Sequence, residues 1–118
     1  MKDVIRYIET EKKKYPLCMN LNVIEGLQEK YNTIEDWFDA IDNVKGGMPR
    51  IKDLRVGITM MINEGIDIEN EQNNTDEPFL NERQVGRIMS EIGLLKLEEI
   101  IKELAIESTK VDDLPKNE

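Results

Sequence analysis

From Asn20 onward, apolar residues recur at intervals of three and four positions, and no other feature restricts the possible folds as strongly. Residues with this spacing lie on one face of an α-helix, so the pattern predicts amphipathic helices around a shared core. At 118 residues, the chain has room for one such core. The five apolar faces are Leu21, Ile24, Leu27 and Tyr31, widened by Val23; Ile34, Trp37, Phe38 and Ile41; Ile51, Leu54, Ile58, Met61 and Ile62; Val85, Ile88, Met89 and Ile92; and Leu97, Ile100, Ile101 and Leu104.

Polar and small residues at the ends of these faces predict where helices begin and end. Asn20 and Thr33 stand where N-caps belong, and Asn81 with Gln84 has the spacing of a capping box. The third helix is expected over residues 50–64, because Gly65 suits a left-handed C-terminal cap. Residues 69–78 are strongly polar and predict a mobile connection without a structure of its own.

The N-terminal segment is ambiguous, because residues 4–8 combine helical spacing with β-branched and aromatic types. Tyr15, Leu17 and Met19 alternate with other residues, and Pro16 disfavours helix at Tyr15. We therefore favour a β-hairpin at about residues 3–19 over an N-terminal helix. The predicted fold is mainly α (α+β), with one helical domain over residues 1–108 and a flexible tail over residues 109–118.

The composition disfavours several classes of function. With 16 basic and 25 acidic residues the formal charge is −9, which disfavours binding to nucleic acid and to anionic membranes. Histidine is absent, and with it the commonest general base and metal ligand. Cys18, flanked by apolar residues, is expected to be a small buried hydrophobe. The N-terminus does not resemble a signal peptide and no apolar run could span a membrane, so a cytoplasmic location is expected.

The acidic stretch near residue 70 can be tested as a calcium loop. If Asp67 is position one of an EF-hand loop, Gln72 falls where glycine is needed and Pro78 falls where a bidentate glutamate is needed. The stretch therefore fails as a calcium site. We predict no catalytic, cofactor-binding or metal-binding residues, and no enzymatic activity.

Pairs of adjacent apolar residues indicate a function better than the acidic residues do, because one amphipathic face does not require both members of such a pair. Methionine side chains adapt their shape and are common on surfaces that accept many partners. The alternative for each methionine is a purely structural role, in which it fills space in a core with few aromatic residues. The candidate partner-binding residues are Trp37, Phe38, Met60, Met61, Phe79 and Leu80.

Residues 13–42 resemble the opening of the short tail assembly chaperones of siphophages and prophages of Gram-positive bacteria. In that family an extended hairpin precedes a helix and a Glu-Lys-Tyr-Gly turn, and here Asn32 stands where glycine is commoner. Asparagine tolerates the left-handed turn, so the departure is mild. Residues 51–71 resemble the family's central helix, and residues 80–109 resemble its terminal segment.

The resemblance implies a non-enzymatic protein that binds the helical tape measure protein, keeps it soluble and assists assembly of the tail tube. It also implies contact with the tail tube protein, residence in the host bacterial cytoplasm and absence from the finished virion. Self-association stays open. The alternatives are an acidic inhibitor that mimics DNA, for which we would expect acids clustered on one surface, and another phage protein–protein adaptor.

Overall fold

The computed structural model of the protein describes residues 4–42 and 47–112. Within these ranges, two strands and five helices confirm the predicted mainly α (α+β) fold. The elements are β1 (Val4–Glu9), β2 (Lys14–Met19), α1 (Leu21–Tyr31), α2 (Ile34–Asp42), α3 (Ile51–Asn73), α4 (Glu82–Ile92) and α5 (Leu94–Asp112).

The strands form the predicted antiparallel hairpin, in which Val4 lies opposite Met19 and Glu9 opposite Lys14. Thr10 closes the turn, because its backbone N–H donates to the Lys13 carbonyl oxygen at 2.9 Å. The second half of β2 is buried, and it includes Cys18 as expected. The hairpin therefore forms part of the core.

Polar contacts join β1 to two helices. The Arg6 guanidinium contacts Glu103 at 2.9 Å and Glu107 at 2.8 Å, both on α5. The Tyr7 hydroxyl donates to the Glu69 carboxylate on α3, and this hydrogen bond raises the pKa of the tyrosine. The hairpin is thus tied to α3 and α5 together.

The predicted N-caps are present at α1 and α2. The Asn20 side-chain oxygen accepts from the Val23 N–H at 3.2 Å, and Thr33 Oγ1 accepts from the Asp36 N–H at 2.9 Å. Between the two helices Asn32 has a φ of 82°, the positive value that favours glycine or asparagine. Local side-chain chemistry therefore determines these helix starts.

Helix α3 differs from the prediction, because it continues through Gly65 to Asn73. The expected C-cap at Gly65 is wrong. Gly65 is buried, and a Cβ at this position would lie 2.7 Å from the Cβ of Pro16 on β2. The glycine allows close packing between α3 and the hairpin, and Asn74, in the left-handed conformation with a φ of 55°, ends the helix.

The connection between α3 and α4 is shorter and more ordered than the predicted loop over residues 69–78. The Asn63 side chain accepts from the Leu80 N–H at 2.8 Å and donates to the Leu80 carbonyl oxygen at 3.0 Å. The Asn70 side chain bonds both backbone groups of Glu77 in the same way, at 2.9 and 3.0 Å. Two asparagines on α3 therefore hold the connection against that helix.

Helix α4 begins with the predicted capping box, in which Asn81 and Gln84 exchange side-chain and backbone hydrogen bonds. Gly93, with a φ of 100°, separates α4 from α5. Helix α5 extends to Asp112, four residues into the segment predicted as a flexible tail. Residues 113–118 lie outside the described part of the chain.

Trp37 stands in the core with none of its surface exposed. Its indole N–H donates to the Asp53 carbonyl oxygen at 2.9 Å, and its ring lies over Gly57 of α3. Two residues predicted to face the core are exposed instead: Leu21 is 62% exposed and Ile51 is 44% exposed. Helix α1 buries Val23, and a residue two positions away is rotated by about 200°, so Leu21 faces outward.

Each helix within residues 4–42 and 47–112 falls short of the length or the apolar character that a membrane span requires.

Candidate partner-binding surface

The six predicted partner-binding residues do not form one surface. Trp37 and Met61 have no exposed surface and belong to the core. Phe38 is half-buried, and its ring centre lies 5.0 Å from that of Trp37. In this conformation Trp37 and Met61 serve the packing of α2 and α3, whereas Phe38, like Met60 and Leu80, keeps part of its surface exposed.

Met60 and Phe79 lie together in one open groove between α1 and α3, although they are far apart in the sequence. The groove has a volume of about 440 Å³. Phe79 is 58% exposed, whereas Met60 is half-buried. We call this feature the α1–α3 groove; its lining also includes Val23, Gly26, Thr59, Glu64 and Asp67.

The floor of the α1–α3 groove depends on a close approach between its two helices. A Cβ at Gly26 would lie 3.1 Å from the sulfur of Met60. The absence of a side chain at Gly26 therefore leaves room for the thioether, which can move among several rotamers. A partner side chain entering the groove meets a surface that can change shape.

The exposure of Phe79 does not come from a loose chain. Leu80, the next residue, is fastened to Asn63 by both of its backbone groups. The half-buried Leu80 side chain packs against the core and lines two other depressions, beside Tyr15. The ordered backbone therefore separates this apolar pair, with Leu80 packed inward and Phe79 left accessible at the α1–α3 groove.

Carboxylates line one side of the α1–α3 groove. The Glu64 carboxylate accepts from the side-chain amides of Asn20 at 2.7 Å and Asn22 at 3.0 Å, which holds it in place. Asp67 lies one helical turn further along α3 and is exposed. The groove thus combines two apolar side chains with negative charge, which suits an apolar segment that carries lysine or arginine.

Gly26 and the acidic residues of this groove are not among the residues predicted from the sequence. Val23 and Leu27 are the buried residues of α1, and this four-residue spacing could have oriented the helix with Gly26 beside its buried face. No sequence signal indicated that Gly26 would meet Met60, because that contact depends on how two helices cross.

Among the described residues, no group of three or more His, Cys, Asp or Glu side chains could hold a metal ion. Tyr31 donates to Asp53 at 2.6 Å, and burial followed by this hydrogen bond raises the pKa of the tyrosine. This pair joins the end of α1 to the start of α3, which explains it as a structural contact.

Comparisons with protein-family models, with curated proteins and with solved structures found no match for this chain.

Proposed function

We propose that this protein is a non-enzymatic tail assembly chaperone of a phage or prophage, which binds the tape measure protein and assists assembly of the tail tube. The α1–α3 groove is the observation that carries the proposal. It offers an exposed Phe79 and an adaptable Met60 to a helical client, in a protein whose sequence resembles that chaperone family.

The client segment suited to this groove is an amphipathic helix with apolar residues on one face and basic residues beside them. Its apolar residues cover Phe79 and Met60, and its basic residues face Glu64 and Asp67. Outside the groove, the formal charge of −9 keeps the complex soluble by repulsion between complexes.

The proposal is tested by co-expression with the tape measure protein and the tail tube protein encoded beside it, followed by affinity capture. We expect the tape measure protein to be recovered with the wild-type chain and Phe79→Ala to reduce recovery several-fold. Leu95→Ala is the matched control, because Leu95 is 77% exposed and lies outside the lining of the α1–α3 groove. If neither tail protein is recovered, the proposed function is refuted. If Phe79→Ala and Leu95→Ala reduce recovery equally, the proposed role of the groove in binding is refuted.

An acidic inhibitor that mimics DNA is the second candidate. One observation favours it: Asp36, Asp39 and Asp42 line a shallow depression on α2. They are three residues apart, so they lie on one face of the helix. Against it, the carboxylates of Glu77, Glu82 and Glu103 lie within 4 Å of basic side chains, so acids and bases are interleaved elsewhere. Capture of a nucleic-acid enzyme that is lost in Asp36→Asn/Asp39→Asn, and retained in Phe79→Ala, would establish this alternative.

A further inference from the structure

A second groove, formed by the start of α3, helix α4 and the start of α5, carries positive charge in an otherwise acidic protein. Three of the five arginines of the sequence line it: Arg55, Arg83 and Arg87. Its volume is about 520 Å³. We call it the arginine groove, and neither Met60 nor Phe79 belongs to it.

Two of these arginines have no ionic partner within the part of the chain that the structure describes. Among the side chains that the structure describes, those of residues 4–42 and 47–108, no carboxylate oxygen lies within 4.0 Å of the guanidinium of Arg83 or Arg87, and neither arginine makes a side-chain hydrogen bond. Arg55 is partly neutralised, since its Nε lies 3.6 Å from a Glu82 carboxylate oxygen. The groove therefore retains positive charge that the fold does not use for its own stability.

The arginines share one face of α4 with small residues. Arg83 and Arg87 are four positions apart, so their Cα atoms are separated by about 6 Å along the helix axis. Gly86 and Ser90 lie on the same face, and a Cβ at Gly86 would be 3.6 Å from Arg55 Nη1. With little side-chain bulk between the arginines, the backbone of another helix can approach α4 closely.

Apolar surface borders this charge, because Ile51 lines the groove and is 44% exposed. A partner for the groove thus needs carboxylates for the arginines and an apolar side chain for Ile51. Carboxylates four residues apart on a helix repeat at the same interval of about 6 Å as Arg83 and Arg87.

We propose that the arginine groove docks an acidic amphipathic helix of a protein partner, whose carboxylates, spaced four residues apart, pair with Arg83 and Arg87. Such binding is compatible with the formal charge of −9, because salt screens electrostatic repulsion. At physiological ionic strength, charges more than about 8 Å from a short bound segment repel it only weakly. A long polyanion such as nucleic acid extends beyond the groove and meets the acidic surface.

The test measures binding of fluorescent peptides of about 18 residues, long enough to form helix. The first peptide carries leucines on one face and glutamates four residues apart beside them; two others replace every glutamate with glutamine or with lysine. We expect the glutamate peptide to bind the wild-type chain, more weakly at high salt, and the other two to bind at least about tenfold more weakly. Equal binding of the glutamine peptide, or no binding of any peptide, would overturn the proposal.

Variants of the full chain locate the site. Arg83→Glu/Arg87→Glu is expected to weaken binding of the glutamate peptide at least about tenfold, while circular dichroism shows unchanged helicity. Arg87→Glu is compared with Lys30→Glu on α1, which changes the net charge equally at a residue outside the groove. An equal loss of binding with Lys30→Glu would contradict the proposal. A single-stranded oligonucleotide that displaces the labelled peptide at a lower concentration than the unlabelled glutamate peptide does would also contradict it.

Discussion

At the scale of single residues, glycine has two distinct roles in this protein. Gly93 adopts a positive φ, which side chains rarely allow. Gly57 is helical, and its role is to leave space for the Trp37 ring. The distinction matters for mutation, because alanine improves helix propensity in the middle of a helix unless a neighbour occupies the space of its Cβ.

Gly57→Ala is expected to be strongly destabilising. The added Cβ would lie 2.0 Å from Cζ2 of Trp37, and the indole is buried and fastened to Asp53. Overpacking of this kind costs about 3 kcal/mol, which exceeds the gain of about 1 kcal/mol in helix propensity. Urea unfolding measures the loss, and Gly26→Ala is the control, because its nearest neighbour is the flexible thioether of Met60. Unchanged stability in Gly57→Ala would contradict the packing described for Trp37.

Glu98→Gln is expected to stabilise the protein near neutral pH. Desolvation, followed by a hydrogen bond with Asp42, raises the pKa of Glu98 in the folded state. The stabilising contribution of a carboxyl with a raised pKa is present below its unfolded pKa and is lost as the pH rises through the folded value. The melting temperature of the variant should therefore exceed that of the wild type at pH 7, and the difference should shrink toward pH 4. A difference independent of pH would contradict the assignment.

At the scale of elements, the length of α3 is determined by its contact with the hairpin. Ile62 and Ile66 are buried on either side of Gly65 and continue the apolar face of the helix. Pro16 of β2 occupies the space beside Gly65. Burial of this last part of α3 offsets the weak helix propensity of glycine.

Gly65→Ala distinguishes close packing from helix capping. The added Cβ would lie 2.7 and 2.8 Å from two ring carbons of Pro16, so we expect destabilisation of about 1–3 kcal/mol. Gly65→Ala/Pro16→Gly should recover part of this loss, because glycine at position 16 removes both of the ring carbons that the added Cβ would meet. Thermal unfolding of the single and double variants measures the coupling. Strictly additive effects would show that the two residues do not compete for space.

At the scale of the whole molecule, one core joins the hairpin to all five helices. Buried side chains from every element belong to it, among them Ile8, Leu17, Leu27, Trp37, Ile58, Val85 and Leu104. No element has a core of its own, so local unfolding exposes side chains on its neighbours.

We therefore expect cooperative unfolding in which different probes coincide. Trp37 is the single tryptophan of the sequence and is completely buried, so its fluorescence reports on the core. The urea midpoints from tryptophan fluorescence and from helical circular dichroism should agree. A fluorescence transition at lower urea would contradict a shared core and would indicate that α2 separates first.

The amino-acid sequence alone determined the features that arise within a few residues. The helix starts at Asn20, Thr33 and Asn81 could be predicted, because side-chain caps bond backbone groups two or three residues away. The hairpin and the apolar faces of the helices follow from local spacing in the same way. The candidate surface could be predicted only in part: Phe79 was identified as accessible, whereas Trp37 and Met61 are buried.

Only the tertiary structure decided which neighbours those faces meet. Gly65 has the pattern of a helix end in the sequence, and only the structure places Pro16 beside it. Met60 and Phe79 come together because the connection after α3 folds back onto that helix, where Asn63 bonds Leu80. The arginine groove likewise needs Arg55 of α3 to lie over Gly86 of α4. The reason is physical: caps and helical periodicity act over one or two turns, whereas packing depends on residues that are distant in the chain.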